Sequence, residues 1–411
     1  MAVAAQPATA EDAVLGVRPS RIFRPGTLEE AEEALRQATA ERLRLAFVGG
    51  RTELELGAAP AALDAVVSTR GLARVVEYAP LDQIVTVEAG ITLSALQATL
   101  RERRQMLALD PPWADRATVG GAVATNAFGA RRTRYGSVRD LIIGMTLVRA
   151  DGTRARGGGK VVKNVAGFDL PKLMVGSLGS LGLIASVTFR LHPAPEAAST
   201  VRFPAAPPEA LHRVVQAMRK EQLEPAAVAA LGGTGSFELG VRFEGFEAGV
   251  RQQRDRLLAL ARPLELPAEL LDSAGADAFW SRHASVREAP ASFRAKLATL
   301  PTEVPRAASE AWAPLREVLR AARSVLYPTL GLGFVAGEVQ DAGVLADRIA
   351  RARAALAPRG GGLVLHAAPA ALRSLTEVWG PTPPAAALFA RVKSALDPEQ
   401  RLAPGRSAGG V

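Results

Sequence analysis

Asp110-Pro-Pro112, Ala117-Thr-Val-Gly-Gly-Ala-Val-Ala-Thr-Asn126, Arg134-Tyr-Gly-Ser-Val-Arg-Asp140, Lys163-Asn-Val-Ala-Gly-Phe-Asp-Leu170 and Gly176-Ser-Leu-Gly-Ser-Leu-Gly-Leu-Ile184 follow one another within a single window of the chain. Glycines stand at the junctions, and short apolar runs, residues 141–148 and 184–191, read as strands between them. A backbone so rich in positions that tolerate positive φ and close approach is suited to wrapping a large polar ligand. The protein's two asparagines, Asn126 and Asn164, both fall here.

Upstream, Thr27-Leu-Glu-Glu30 has capping-box spacing and opens a helix with Leu28, Ala31, Ala34, Leu35 and Ala38 on one face. Strands are expected at residues 43–48, 65–68, 74–78 and 84–88, and a helix at 92–104. Downstream, a Pro/Ala/Ser-rich stretch at 193–208 marks a boundary. Strand and helix signals then alternate twice: 200–203, 209–220, 226–231, 237–243 and 248–262, followed by 294–300, 310–322, 324–329, 333–339, 342–356 and 363–367. This alternation predicts a ferredoxin-like α+β domain. A last helix, 385–396, precedes a Pro/Gly-terminated loop. The expected division is a lead-in without order at 1–20, a ligand-binding domain at 21–195, a second domain at 196–370 and a C-terminal helix and loop at 371–411.

At 411 residues the chain can bury more than one core, and its 48% hydrophobic and 22% charged residues are ordinary for a globular protein. No apolar run reaches the roughly 18 residues of a membrane span. The first dozen residues lack a basic start and a leucine-like block, so no signal peptide is expected. There is no cysteine, which excludes disulfides, thiolate nucleophiles and cysteine-held clusters from this chain. The net charge of +9 comes from arginines mixed with acids, with aromatics at 5%. Without a basic–aromatic alternation, nucleic-acid binding is not expected.

Gly49-Gly50-Arg51-Thr52-Glu53 follows a strand, and its amides can converge into an anion nest or simply make a turn. Glu53 and Glu55 beside a phosphate require main-chain donors. Thr118-Val-Gly-Gly121 opens a short helix, offering either free amides to an anion or a tight helix–strand contact. Arg131, Arg132, Arg134 and Arg139 suit phosphate recognition or a solvated loop paired to Asp140 or Asp151.

Taken in order, these motifs resemble the FAD-binding domain of the vanillyl-alcohol-oxidase (PCMH-type) flavoproteins. The version at Lys163 to Leu170 is most similar to the FAD-binding subunits E of bacterial glycolate oxidases. The resemblance runs from about Phe23 to His192 and resumes in the tail at Leu396 to Arg406. It implies an α+β chain: a PCMH-type FAD-binding domain of two α/β subdomains plus a ferredoxin-like cap on the substrate side. It further implies FAD held by Gly49, Gly50, Arg51, Thr52, Glu53, Pro111, Thr118, Gly120, Gly121, Thr125, Asn126, Lys163, Asn164, Gly182 and Ile184. Neither nucleotide loop contains His or Cys, so the FAD is expected to be non-covalent.

The paired-histidine metal motif of related 2-hydroxy-acid dehydrogenases is missing, so no metal is expected. His283 and His366 remain as candidate bases. The implied function is that of a FAD-binding subunit of a glycolate (2-hydroxy-acid) oxidising complex. Its implied partners are a paralogous catalytic FAD subunit and an iron–sulfur subunit. The implied location is cytoplasmic, with attachment to the inner membrane only through the complex. The alternatives are a self-sufficient FAD-dependent dehydrogenase, or a structural subunit without flavin. The tail reads Leu402-Ala-Pro-Gly405 where relatives read Leu-Asn-Pro-Gly, which weakens any expected C-terminal contact with the cofactor.

Overall fold

A computed structural model describes residues 4–159, 169–233 and 235–410. The chain forms two compact units, residues 1–129, 136–194 and 382–411 in one and 130–135 with 195–381 in the other.

The first unit contains two principal sheets. Strands β1 (Gln6–Pro7), β2 (Arg21–Phe23), β3 (Leu45–Val48) and β4 (Ala65–Ser68) lie in the order β1-β2-β4-β3, with β2, β4 and β3 parallel. The helix Leu28–Ala40 covers this sheet with Ala31, Ala34, Leu35 and Ala38. Thr27 caps it by accepting from the Glu30 amide, as the capping-box spacing predicts.

The second sheet is antiparallel, built from β5 (Val75–Ala79), β6 (Ile84–Glu88), β8 (Ile142–Val148), β9 (Arg154–Gly158) and β10 (Leu183–Arg190), in the order β5-β6-β10-β8-β9. A separate short ribbon pairs β7 (Gln105–Met106) with β11 (His192–Pro193). One core joins Phe23, Leu35, Leu45 and Val67 to Val148, Leu183 and Ala185, so both sheets share a buried seam. The other packs Val85, Val87, Val187 and Phe189 against the helices Leu93–Arg101 and Val119–Thr125.

The lead-in is a point of correction. Gln6–Pro7 pairs antiparallel with Arg21 and Ile22, and Thr9 and Asp12 cap a short turn reciprocally. Residues 4–20 are therefore placed by strand pairing and capping, not left without order. Alanine-rich composition carried no pattern that anticipated this.

The second unit holds one eight-stranded sheet, β15-β12-β14-β13-β17-β18-β16-β19. Its strands are β12 (Ala197–Ala206), β13 (Ala227–Gly232), β14 (Phe237–Gly245), β15 (Glu269–Leu271), β16 (Phe293–Ala298), β17 (Leu319–Tyr327), β18 (Leu332–Val339) and β19 (Gly362–Ala367). Each half is a βαββαβ unit whose fourth, first, third and second strands lie side by side, the ferredoxin-like order. The halves meet where Ala230 and Leu231 of β13 pair with Leu326 and Val325 of β17. A single ferredoxin-like domain was predicted; the fold is a duplicated one.

Two departures have clear physical causes. The predicted helix at 310–322 stops at Glu317, and β17 begins at Leu319. Leu319 to Arg323 has helix-forming composition, but pairing with β18 overrides that propensity. A further helix, Ser273–Glu288, went unpredicted. It buries only Phe279, Val286 and Arg287, because it lies on the polar face of the sheet. There Trp280 Nε1 donates to Thr200 Oγ1 at 3.1 Å, and Phe279 packs over Gly240. Apolar periodicity cannot reveal a helix whose contact face is polar.

Candidate functional site

A cleft opens within the first unit, lined by β3 and three glycine-bearing loops. Each loop contributes in a different way.

The first loop follows β3. Among the described residues, the backbone amides of Gly49, Gly50, Arg51 and Thr52 donate to no protein acceptor. Arg51 is left-handed at φ 61°, a reversal that helps bring consecutive N–H groups to one side. The glycines serve close approach: a Cβ on Gly50 would lie 1.7 Å from the Arg116 carbonyl oxygen, and one on Gly49 would lie 2.2 Å from Thr118 Oγ1. The Arg51 side chain turns to the Ala13 carbonyl, donating from Nη2 at 2.6 Å. Burial holds its pKa below the ordinary value, with Asp12 and Glu11 pulling the other way. The loop thus offers a row of unspent main-chain donors, which is what an anionic pyrophosphate requires.

The second loop spends its donors internally. Val119 N–H donates to Ile91 O at 2.9 Å, Gly120 N–H to Ala89 O at 2.7 Å, and Gly121 N–H to the capping Thr118 Oγ1 at 3.3 Å. A Cβ on Gly120 would stand 2.7 Å from Ala89 Cβ. Of the two readings of Thr118 to Gly121, the tight helix–strand contact is the one found, and free amides at this helix start are not. Gly120, Gly121 and Thr125 still line the cleft, as a small-residue wall.

The third loop brings Leu178, Gly179 and Gly182 to the cleft, with Leu183 and Ile184 at the start of β10. Leu178, Gly179 and Gly182 have φ values of 52°, 76° and 154°. The loop packs on the second one, Leu178 N–H donating to Ala124 O at 2.9 Å.

Ten of the candidates therefore converge: Gly49, Gly50, Arg51, Thr52, Glu53, Gly120, Gly121, Thr125, Gly182 and Ile184. Thr118 stands behind the wall as its cap, and Pro111 is buried without lining the cleft. Asn126 ends the Val119–Thr125 helix at φ 50°. Its Oδ1 is buried and has no hydrogen-bond partner among the described residues. Lys163 and Asn164 lie outside the described residues. Sequence reading missed Thr69 and Arg406, which reach the cleft from distant segments.

Two members of the arginine cluster, Arg131 and Arg134, turn to Glu244, whereas Arg139 is exposed. Arg131 forms a bidentate pair with Glu244 at 3.0 and 3.2 Å, Arg134 donates to the Glu244 carbonyl at 2.7 Å, and Arg242 joins the same carboxylate at 2.9 Å. These contacts fasten residues 130–135 to β14 inside the second unit. Asp140 instead caps Ser137.

Both candidate histidines also belong to the second unit. His283 Nε2 is 2.9 Å from the Tyr327 hydroxyl, and burial with nearby Arg287 pushes the imidazole pKa down to about 4. His366 is buried on β19, edge-on to Phe334 at 5.3 Å. Among the described residues no cluster of His, Cys, Asp and Glu could hold a metal. No described helix is long and apolar enough to cross a membrane.

The cleft fits FAD on its own features: a row of amides without protein acceptors among the described residues and a glycine-walled approach. Residues 19–158 match the family described as FAD binding domain. The fold as a whole is that of p-cresol methylhydroxylase (TM-score 0.75, 15% identity, 96% of this chain and 89% of that one). It also matches alkyldihydroxyacetonephosphate synthase (TM-score 0.71, 16% identity, 95% and 78%). The chain therefore carries a PCMH-type FAD-binding domain, and FAD is its cofactor.

In sequence it is similar to glycolate oxidase subunit GlcE of Escherichia coli (strain K12), at 33% identity over 228 residues, 55% of this chain. That match spans 63% of the relative's length. It is also similar to D-2-hydroxyglutarate dehydrogenase of Xanthomonas citri pv. viticola, 35% identical over 173 residues, 42% of this chain and 37% of that one.

Proposed function

We propose that this chain is the FAD-binding subunit of a complex that oxidises a small 2-hydroxy acid, with glycolate as its substrate. The observation that carries the reading is the row of four free amides, Gly49 to Thr52, in a cleft of a chain resembling a glycolate oxidase subunit. Bound FAD would supply a two-electron acceptor for oxidation of the hydroxy acid. Gly49 to Thr52 would hold its pyrophosphate, and Gly120, Gly121, Thr125, Gly182 and Ile184 would leave room for its length.

This chain has no cysteine to hold an iron–sulfur cluster, so a cluster that receives the electrons would be carried by a partner chain. The depressed pKa of His283 supports placing substrate oxidation on a paralogous FAD subunit, because an imidazole near 4 is a poor proton acceptor at neutral pH. The second unit, expected at 196–370, would serve the substrate side. The complex would be cytoplasmic and reach the inner membrane only through its partners.

A second reading, a self-sufficient dehydrogenase, draws on the His283–Tyr327 pair, which could pass a proton between a substrate hydroxyl and solvent. The purified chain separates the two. A flavin spectrum that enters the supernatant on acid precipitation is expected. Anaerobic glycolate should bleach it only when the partner chains are added. Bleaching by glycolate with this chain alone, lost in His283→Ala, would favour the second reading. A colourless chain that stays apo with FAD and partners present would sink both.

A further inference from the structure

The segment from Lys393 to Arg406 touches two of the three loops that line the FAD cleft. Lys393, only 1% exposed, donates from Nζ to the Ser180 carbonyl at 2.7 Å, to the Leu402 carbonyl at 2.7 Å and to Asp397 Oδ2 at 2.6 Å. Desolvation lowers its pKa, while the Asp397 carboxylate opposes the shift. Ser180 lies in the third loop, between the cleft-lining Gly179 and Gly182. Thirteen positions on, Arg406 is 4% exposed and lines the cleft itself. Its Nη2 donates to the carbonyls of Leu54 at 2.9 Å and Leu56 at 2.7 Å, on the far side of the first loop.

The stretch between these anchors is held along its length. Leu45 N–H donates to Arg401 O, Ala403 N–H to Leu45 O, and Ala61 N–H to Pro404 O. Arg401 reaches the carbonyls of Ala38, Leu43 and Ala150. Asp397 Oδ2 accepts from the Leu402 amide at 2.7 Å. A surface tail would not place three cations, Lys393, Arg401 and Arg406, and the Asp397 carboxylate in the interior, each hydrogen-bonded, unless their geometry mattered.

We propose that the C-terminal segment is a clasp on the cofactor: Lys393 fixes the third loop, Arg406 fixes the first, and together they set the spacing that retains FAD. The replacement of the relatives' asparagine by Ala403 thus does not release the tail from the site. The grip passes through side chains on either side of it. Arg406 acts as a positioning residue through the Leu54 and Leu56 carbonyls, and its guanidinium also places positive charge in the wall of a cleft built for an anion.

The test measures FAD dissociation from the full chain by recovery of flavin fluorescence. Arg406→Ala should release FAD at least tenfold faster, and Arg406→Lys, which keeps the charge and one donor, should recover part of the loss. Amide hydrogen exchange should rise at residues 54–57 in Arg406→Ala, a change that loss of charge alone would not produce. Release rates within twofold of the parent in both variants would overturn the proposal. Should Arg406→Ala not fold, hydrogen exchange of the parent with and without FAD decides the matter. Coordinated protection of 49–57, 177–182 and 397–406 supports the clasp, and a tail indifferent to FAD refutes it.

Discussion

The first and second glycine loops have nearly the same sequence logic and opposite bookkeeping of their amides. Gly49-Gly50 and Gly120-Gly121 are both glycine pairs, and Gly50 and Gly120 each press close to a neighbouring segment. In the first, the glycines let the chain pack on residues 116–118 while its own N–H groups stay unspent. In the second, the glycines let a helix sit on Ala89, and its first amides are consumed by Ile91, Ala89 and Thr118. A paired glycine therefore marks close approach in both places, but leaves amides without a protein acceptor in only one. What distinguishes them is that the turn after β6 and the loop's own Thr118 supply acceptors to the second.

The contrast can be broken most strongly at Gly50. Gly50→Ala places a methyl 1.7 Å from a carbonyl, so the two loops must separate. Loss of bound flavin and destabilisation of about 3 kcal/mol or more are expected in denaturant titration. Retention of flavin with an unchanged midpoint would show that this packing is not needed.

Glu244→Ala tests the second unit independently. Removing a carboxylate that is 3% exposed leaves Arg131 and Arg242 without their shared partner, at about 3 kcal/mol. FAD affinity should change less than in Gly50→Ala.

His283 extends the contrast to titration. Its folded pKa of about 4 lies below the unfolded 6.5, so the unfolded chain binds the extra proton between those values. Stability is fully present above pH 6.5 and declines as pH falls toward 4, by up to about 3 kcal/mol. Unfolding midpoints followed across that range should fall more steeply in the parent than in His283→Phe.

Thr118→Ala sharpens the comparison with a small effect. It removes the cap of the second loop's helix, costing about 1 kcal/mol. FAD affinity should stay within about threefold, since the amide thus freed lies where the structure already spends its donors. A tenfold gain in affinity would mean that the second loop is an anion site held in reserve.

Much of the site was legible because the relevant constraint is local. Glycines after a strand, a Thr-x-x-Glu cap and a run of small residues announce turns, helix starts and close approach without reference to the rest of the chain. His283 and the Ser273–Glu288 helix show the limit. That helix covers a polar sheet face, so its periodicity is faint, and the partner of His283, Tyr327, is 44 positions away. Asn126 was legible as unusual, yet it ends the Val119–Thr125 helix in the left-handed region and reaches no lining position of the cleft.

The sequence by itself determined that this chain has a glycine-built FAD domain, carries no thiolate and follows the domain with ferredoxin-like strand–helix alternation. Those properties rest on backbone freedom, residue chemistry and periodicity, which neighbours along the chain suffice to specify. Only the tertiary structure decided which glycine loop keeps its amides free. It likewise decided that Arg131 and Arg134 close on Glu244, and that Lys393 and Arg406 reach carbonyls of the third and first loops. A hydrogen bond between Arg406 and Leu56 joins positions 350 residues apart, and no local rule assigns a donor to an acceptor at that distance until packing has brought them together.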